Sequence, residues 1–336
     1  MLAYCLSRLM KSSIETLLVP QNLYQNEHSP RFEELAVVLP EQVIHPKLRQ
    51  LVERVQQHTL HATFKQDIAD TKVHTQAQLA AHFQGNSQDN ARATEQGKSA
   101  HNPSHSTTTD AAVDGIQSVL KKEVATVKGG AHTKNTELSS GDISRAQRIL
   151  DKLVTTDNAD AAVLVVITNE AHPKMLLTRR AAHLSSHAGE VSFAGGKHDT
   201  GDGNNVVTAL REACEETALP PSKAQIVGQL PIQVSKKGLV VRPIVALVEP
   251  PITYVPELGE IARIFWADFE TLIEQPTTDH ILPYTINGQT LNIKTPSWRV
   301  DGEVVWGLTG RVLAGLLQIG FDREVTWYYE PVDGSD

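Results

Sequence analysis

The chain has 336 residues, enough for one large domain or two smaller ones, and 40% of them are hydrophobic but only 5% aromatic. A formal net charge of -8 and a pI of about 6.0 give no basic footprint for duplex nucleic acid or an anionic membrane, so neither is an expected partner. The two cysteines, Cys5 and Cys214, lie far apart in different regions, which argues against a disulfide framework and for a reducing compartment. No apolar run matches a membrane span. The first residues, MLAYCLSRLMKSSIETLL, lack the basic start and unbroken apolar run of a secretory signal. Arg8 and Lys11 leave an organelle-targeting helix open, and Glu15 counts against it. The expected location is the cytoplasm.

Residues 1–71 mix apolar and polar side chains at helical spacing. RFEELAVVLP and HPKLRQLVERVQQHTL read as helical pieces broken at Pro40 and Pro46, and Leu48, Leu51, Val52 and Val55 form one apolar stripe. A small helical subdomain or docking helix is expected. Residues 72–140 contain GNSQDNARATEQGKSAHNPSHSTTTD, a polar tract with almost nothing to bury, so a disordered linker is expected. His101 and His105 in this tract read as solvated. Residues 141–336 form the ordered remainder.

SSGDISRAQRILDKL predicts a helix capped at Ser140 or Asp142, with Ile143, Ala146, Ile149, Leu150 and Leu153 on one face. DAAVLVVIT and KMLLTRR predict strands joined by a hairpin loop at EAHPK. An acidic helix follows, TALREACEETALP. Then come three strand candidates, AQIVGQL, LVVRPIVALVE and IARIFW, a short helix at ADFETLIE, and a closing helix within VVWGLTGRVLAGLLQIG. Mixed strands with helices packed on them predict an α+β fold, an α/β/α sandwich.

Glu212, Glu215 and Glu216 stand at i, i+3 and i+4, so their carboxylates share one helical face and repel one another. SFAGGKHDTGDGNNVV precedes them, with paired glycines at Gly195 and Gly196 and acids at Asp199 and Asp202. A tight glycine turn can bring the Gly196 carbonyl to the carboxylates. That oxygen set suits a hard cation, Mg²⁺ or Mn²⁺, which would offset the repulsion, bind a diphosphate and lower the pKa of a water. Arg211 projects to one side, and a bidentate pair with an acid such as Asp202 is expected. On spacing alone, the same row also fits an ordinary solvated helix face.

Residues 196–219 resemble the Nudix box, with REACEE at 211–216 matching Arg-Glu-x-x-Glu-Glu. LLTRRAAHLSSHAGEVSFAGGKHD, at 176–199, resembles the longer motif that precedes the box in coenzyme A pyrophosphatases, and VWGLT at 305–309 is similar to that subfamily too. The resemblance spans about 161–317 and implies a Nudix fold. It also implies metal-dependent hydrolysis of the diphosphate in coenzyme A or its thioesters, giving 3′,5′-ADP and a phosphopantetheine product. On this likeness Glu212, Glu215 and Glu216 are metal-binding or base-supplying carboxylates, and the Gly196 carbonyl is a further ligand. Asp202 stands at the box's first acid, Arg211 is the orienting arginine, and Glu260 is a distant acid of second rank. Three residues depart from the subfamily pattern: Ser185 for Arg, Ala194 for Pro, and Ala218 for the Gly that closes the box helix. An altered helix cap is expected at Ala218, and the loss at 185 puts the coenzyme A preference in question. Two alternatives stay open: another nucleoside diphosphate derivative as substrate, or a non-catalytic nucleotide-binding scaffold.

Arg179 and Arg180 are candidates for substrate phosphates, with Gly195 and Gly196 lining the same site. His183 and His187 flank that loop and read as exposed. Lys236, Lys237 and Arg242 read either as a phosphate-facing patch or as a solvated hairpin. Cys214 reads as a small helix residue.

Overall fold

The computed structural model describes residues 35–61, 140–235, 238–286 and 289–332. Most of the expected linker, with His101 and His105, lies outside these residues, as do Cys5, Lys236 and Lys237. The described elements begin with a single 3-10 turn at Pro40–Gln42, then helix α1 (Pro46–His61) and helix α2 (Ser140–Thr155). Strands β1 (Ala161–Thr168), β2 (Lys174–Arg180), β3 (Val191–Ser192) and β4 (Ala194–Lys197) lead into the acidic helix α3 (Asn205–Thr217). Strands β5 (Ala224–Gln229), β6 (Gln233–Val234), β7 (Val240–Val248) and β8 (Ile261–Asp268) follow, then α4 (Phe269–Glu274). Strands β9 (Thr278–Ile286), β10 (Gln289–Val300) and β11 (Glu303–Val305), helix α5 (Gly307–Phe321) and strand β12 (Glu330–Pro331) complete the described chain.

The main sheet runs β3-β2-β1-β7-β5, with β4 on β1, β6 on β7 and β8 on β2. Its centre is a parallel pair, β1 with β7, in unbroken register from Ala161↔Val241 to Thr168↔Val248. Both strands are β-branched and buried on both faces, as a central parallel pair requires. Alternation along them divides the core in two. Val165, Ile167, Val245 and Leu247 join Leu48, Leu51, Val52 and Val55 of α1 and Val312, Leu313, Leu316 and Leu317 of α5. Ala162, Leu164, Val166, Ile244 and Ala246 join Ile149 and Leu153 of α2 and Val206, Ala209, Leu210 and Ala213 of α3. The sheet therefore has α1 and α5 on one side and α2 and α3 on the other, the sandwich the sequence predicts.

The N-terminal piece is built into this core. Besides the stripe on α1, residues 36–38 run beside β5: Ile226 N–H donates to the Ala36 carbonyl at 2.7 Å, and Val38 N–H to the Ile226 carbonyl at 3.1 Å. Gly228 leaves room for α1, since a Cβ there would meet Thr59 Oγ1 at 2.3 Å.

A second sheet, β11-β10-β12 with β9 on β10, was not anticipated from sequence. Its long β9–β10 pairing packs Trp298 into the α5 side of the core, stacked on Trp327 with ring centroids 6.1 Å apart. Arg242 also departs from expectation. It lies on β7, is fully buried, and donates from Nη1 to the Leu230 carbonyl at 3.0 Å, so it is neither solvated nor facing a ligand. Cys214 is buried in α3, as a small residue of that helix. Among the described residues no helix is long and apolar enough to cross a membrane.

Candidate active site

Helix α3 starts where Asn204, in extended conformation, accepts at its side-chain oxygen from the N–H groups of Val206 and Val207, both at 3.0 Å. Val206, Ala209, Leu210 and Ala213 anchor one face against the sheet. That anchoring turns Glu212 and Glu216 toward β4 and its paired glycines.

Gly195 and Gly196 sit on β4, opposite Val163 and Ala162 of β1. Neither position has space for a side chain. A Cβ on Gly195 would fall 2.4 Å from the Ala162 carbonyl oxygen, and one on Gly196 would fall 2.5 Å from the Glu212 carboxyl carbon. Gly195 N–H donates to Glu216 Oε2 at 3.1 Å. The paired glycines lie in a strand and not in the tight turn expected from sequence, and they meet two of the three glutamates directly, by close approach at Glu212 and a hydrogen bond at Glu216.

Arg211 organises the third side. Its Nε and Nη2 donate to the two oxygens of Asp202 at 2.7 and 2.9 Å, the bidentate pair expected from sequence. Its Nη2 also donates to the Lys197 carbonyl at 3.0 Å, its Nη1 donates to Glu212 Oε1 at 2.8 Å, and Nη1 lies 3.6 Å from Glu215 Oε2. One guanidinium therefore fastens the 197–202 loop to the glutamate row.

The charges are unevenly satisfied. Burial alone would raise the pKa of Asp202, but hydrogen bonds from Arg211, from the Asp199 N–H and from Thr208 outweigh it and hold the carboxyl below its usual range. Glu212 is raised, first by burial and then by Glu215 and Glu260, with Arg211 opposing. Glu216, only 4% exposed, is pushed up to about 8. Burial is the main cause, Glu212 and Glu260 add to it, and the Gly195 N–H and Arg180 oppose it. The site gathers more carboxylate than its arginines neutralise.

The second-rank acid Glu260 therefore lies close enough to Glu212 and Glu216 to be felt by both. The two arginines of β2 part company. Arg180 shares the α3 side of the sheet and acts on Glu216. Arg179 points the other way, as strand alternation dictates, and its Nη1 lies 3.5 Å from Glu303 of β11. His183 Nε2 is within 3.0 Å of the Gly259 carbonyl and His187 Nδ1 within 2.9 Å of Glu190, so both are engaged in loop structure. Among the described residues, no three His, Cys, Asp or Glu side chains stand ready-arranged around one metal position.

Ala218 ends α3 in the left-handed conformation, φ 57°, with its N–H bonded to the Cys214 carbonyl at 2.9 Å. The expected altered cap does not occur, and alanine takes the conformation usual for glycine. Sequence reading missed two polar residues behind Asp202, Thr208 and His198.

A model of the NUDIX domain matches residues 159–285. The chain is 33% identical over 196 residues to an "Uncharacterized Nudix hydrolase NudL" of Citrobacter koseri, covering 56% of this chain and 98% of the relative. It is 36% identical over 167 residues to the protein of the same description from Photorhabdus laumondii, covering 50% and 88%. Among solved structures, a C. elegans Ap4A hydrolase in a binary complex aligns at 21% identity over 34% of this chain and 83% of that one, with a TM-score of 0.30. A relative matched over nearly its whole length, at one residue in three, settles the kinship: the chain belongs to the Nudix hydrolase family.

Proposed function

We propose that this protein hydrolyses the diphosphate of coenzyme A or its thioesters, releasing 3′,5′-ADP and (acyl-)4′-phosphopantetheine, with Mg²⁺ or Mn²⁺ as cofactor. The observation that carries the hydrolytic reading is the meeting of Glu212 and Glu216 with the paired glycines of β4, Gly195 and Gly196, under Arg211. The metal reading rests on charge. Two carboxyls raised by burial and by neighbouring carboxylates, Glu260 acting on both, are groups that a divalent cation would stabilise in ionised form. Glu212, Glu215, Glu216 and the Gly196 carbonyl would hold it. Once bound, such an ion neutralises diphosphate charge and makes a water more acidic.

The chain's own groups have separate tasks. Arg211 and Asp202 hold the loop and the helix at one spacing. Arg180 supplies positive charge on the side where a substrate phosphate would approach. One glutamate of the row takes the proton of the attacking water as general base. The coenzyme A assignment rests on the motif at 176–199. Ser185, exposed in that motif where the subfamily has arginine, favours a second reading, another nucleoside diphosphate derivative as substrate.

Incubation with coenzyme A and Mn²⁺, with products identified by mass, tests the assignment. Preference for NADH or ADP-ribose in the same panel transfers it to the second reading. Glu215→Gln or Glu216→Gln is expected to abolish turnover with the fold intact, and excess chelator to do the same. Full activity under either condition defeats the metal-dependent mechanism.

A further inference from the structure

Asp202 is gripped by Arg211 on one side. On the other is Thr208, fully buried on α3, whose hydroxyl lies 2.8 Å from Asp202 Oδ2, 2.9 Å from His198 Nδ1 and 3.2 Å from the Asn204 carbonyl. A hydroxyl has one proton to give. Asp202 can only accept, and a bond to a carboxylate is the stronger kind, so the proton goes there. Thr208 then receives a donor from His198, which places the imidazole proton on Nδ1 and leaves Nε2 as an acceptor. Nε2 faces Asn158 Nδ2 at 3.3 Å, and the same Nδ2 lies 3.4 Å from the Gly203 carbonyl, which identifies it as the donor end of the amide. The links all run one way: Asn158 to His198, His198 to Thr208, Thr208 to Asp202. Arg211 donates to the same carboxylate and onward to Glu212.

Alanine favours a helix more than threonine, and a buried hydroxyl is costly unless bonded. The bond from Thr208 back to Asn204 is an ordinary helix contact, but the bond to Asp202 is shorter.

We propose that Thr208 and His198 are positioning residues of the acidic site. They fix Asp202 from behind, Asp202 fixes Arg211, and Arg211 holds Glu212 against Gly196. The consequence for cation binding rests on the proposed metal-dependent reading, whereas the consequence for Arg211 does not.

The test uses the full chain, with Thr208→Val removing the hydroxyl at constant shape and Thr208→Ser restoring it. Two quantities are measured: hydrogen exchange of the Arg211 Nε–H by NMR without metal, and Mn²⁺ affinity by paramagnetic resonance titration. In Thr208→Val the exchange accelerates and Mn²⁺ binding weakens about tenfold, the usual scale for removing a group that orients a ligand. Thr208→Ser returns both toward wild type, and His198→Leu shifts both in the same direction by less. Unchanged Arg211 exchange in Thr208→Val overturns the proposal. If Thr208→Val does not fold, His198→Leu decides by the same exchange measurement. If the wild type binds no Mn²⁺, the metal reading fails, and Arg211 exchange still decides the positioning.

Discussion

Ala218 holds a left-handed backbone that costs an alanine on the order of 1 kcal/mol relative to glycine. Ala218→Gly is therefore expected to stabilise the fold by up to about 1 kcal/mol, less what the more flexible unfolded chain takes back. A domain of this size then gains roughly 2–4 °C at its thermal midpoint. A drop in the midpoint would contradict the strain. Gly196→Ala acts in the opposite direction, since the new Cβ would displace the Glu212 carboxylate; turnover should fall about 100-fold, the scale expected for a misplacement near 1 Å. Glu216 makes a pH prediction. Its folded pKa, about 8, exceeds the ordinary 4.5, so the folded state holds the proton more tightly than the unfolded chain. Its contribution is fully present below about 4.5 and is lost as pH rises through about 8. Without divalent cations, urea midpoints should fall across that window, and Glu216→Gln should flatten the decline. The shared face of the three glutamates was legible from helical spacing. Which of them would be buried was not, because that depends on β4 and on residue 260, far away in sequence. The different fates of Arg179 and Arg180 follow from strand alternation once β2 is known.

Helix α1 shows how an element can be legible while its place is not. Its apolar stripe was plain in the sequence, yet nothing local said that the stripe would close one face of the sheet. Leu51 is fully buried, and its side chain lies where a Cβ on Gly320 of α5 would meet Leu51 Cδ1 at 2.5 Å. Leu51→Ala is expected to cost about 2–5 kcal/mol, read as a lower urea midpoint in a single unfolding transition. A near-neutral result would instead mean that α1 is a detachable helix. The β9–β10 pair was overlooked although Asn287 and Gly288, a strong hairpin signal, lie between two runs that alternate only weakly. Pro283 and Pro296 within those runs obscured their strand character.

For the whole molecule, the sandwich could be expected from the order of helices and strands, but the strand order could not. Local pattern announces a strand and leaves its neighbours unnamed. The decisive pairing, β1 beside β7, joins segments separated by nearly the entire catalytic motif. During synthesis, the box helix leaves the ribosome well before β7 does. Until β7 arrives, β1 lacks its central partner and the surface beneath α3 is incomplete. A nascent chain ending before Val240 would thus contain every glutamate of the row without the scaffold that gathers them, and competence should emerge late and abruptly.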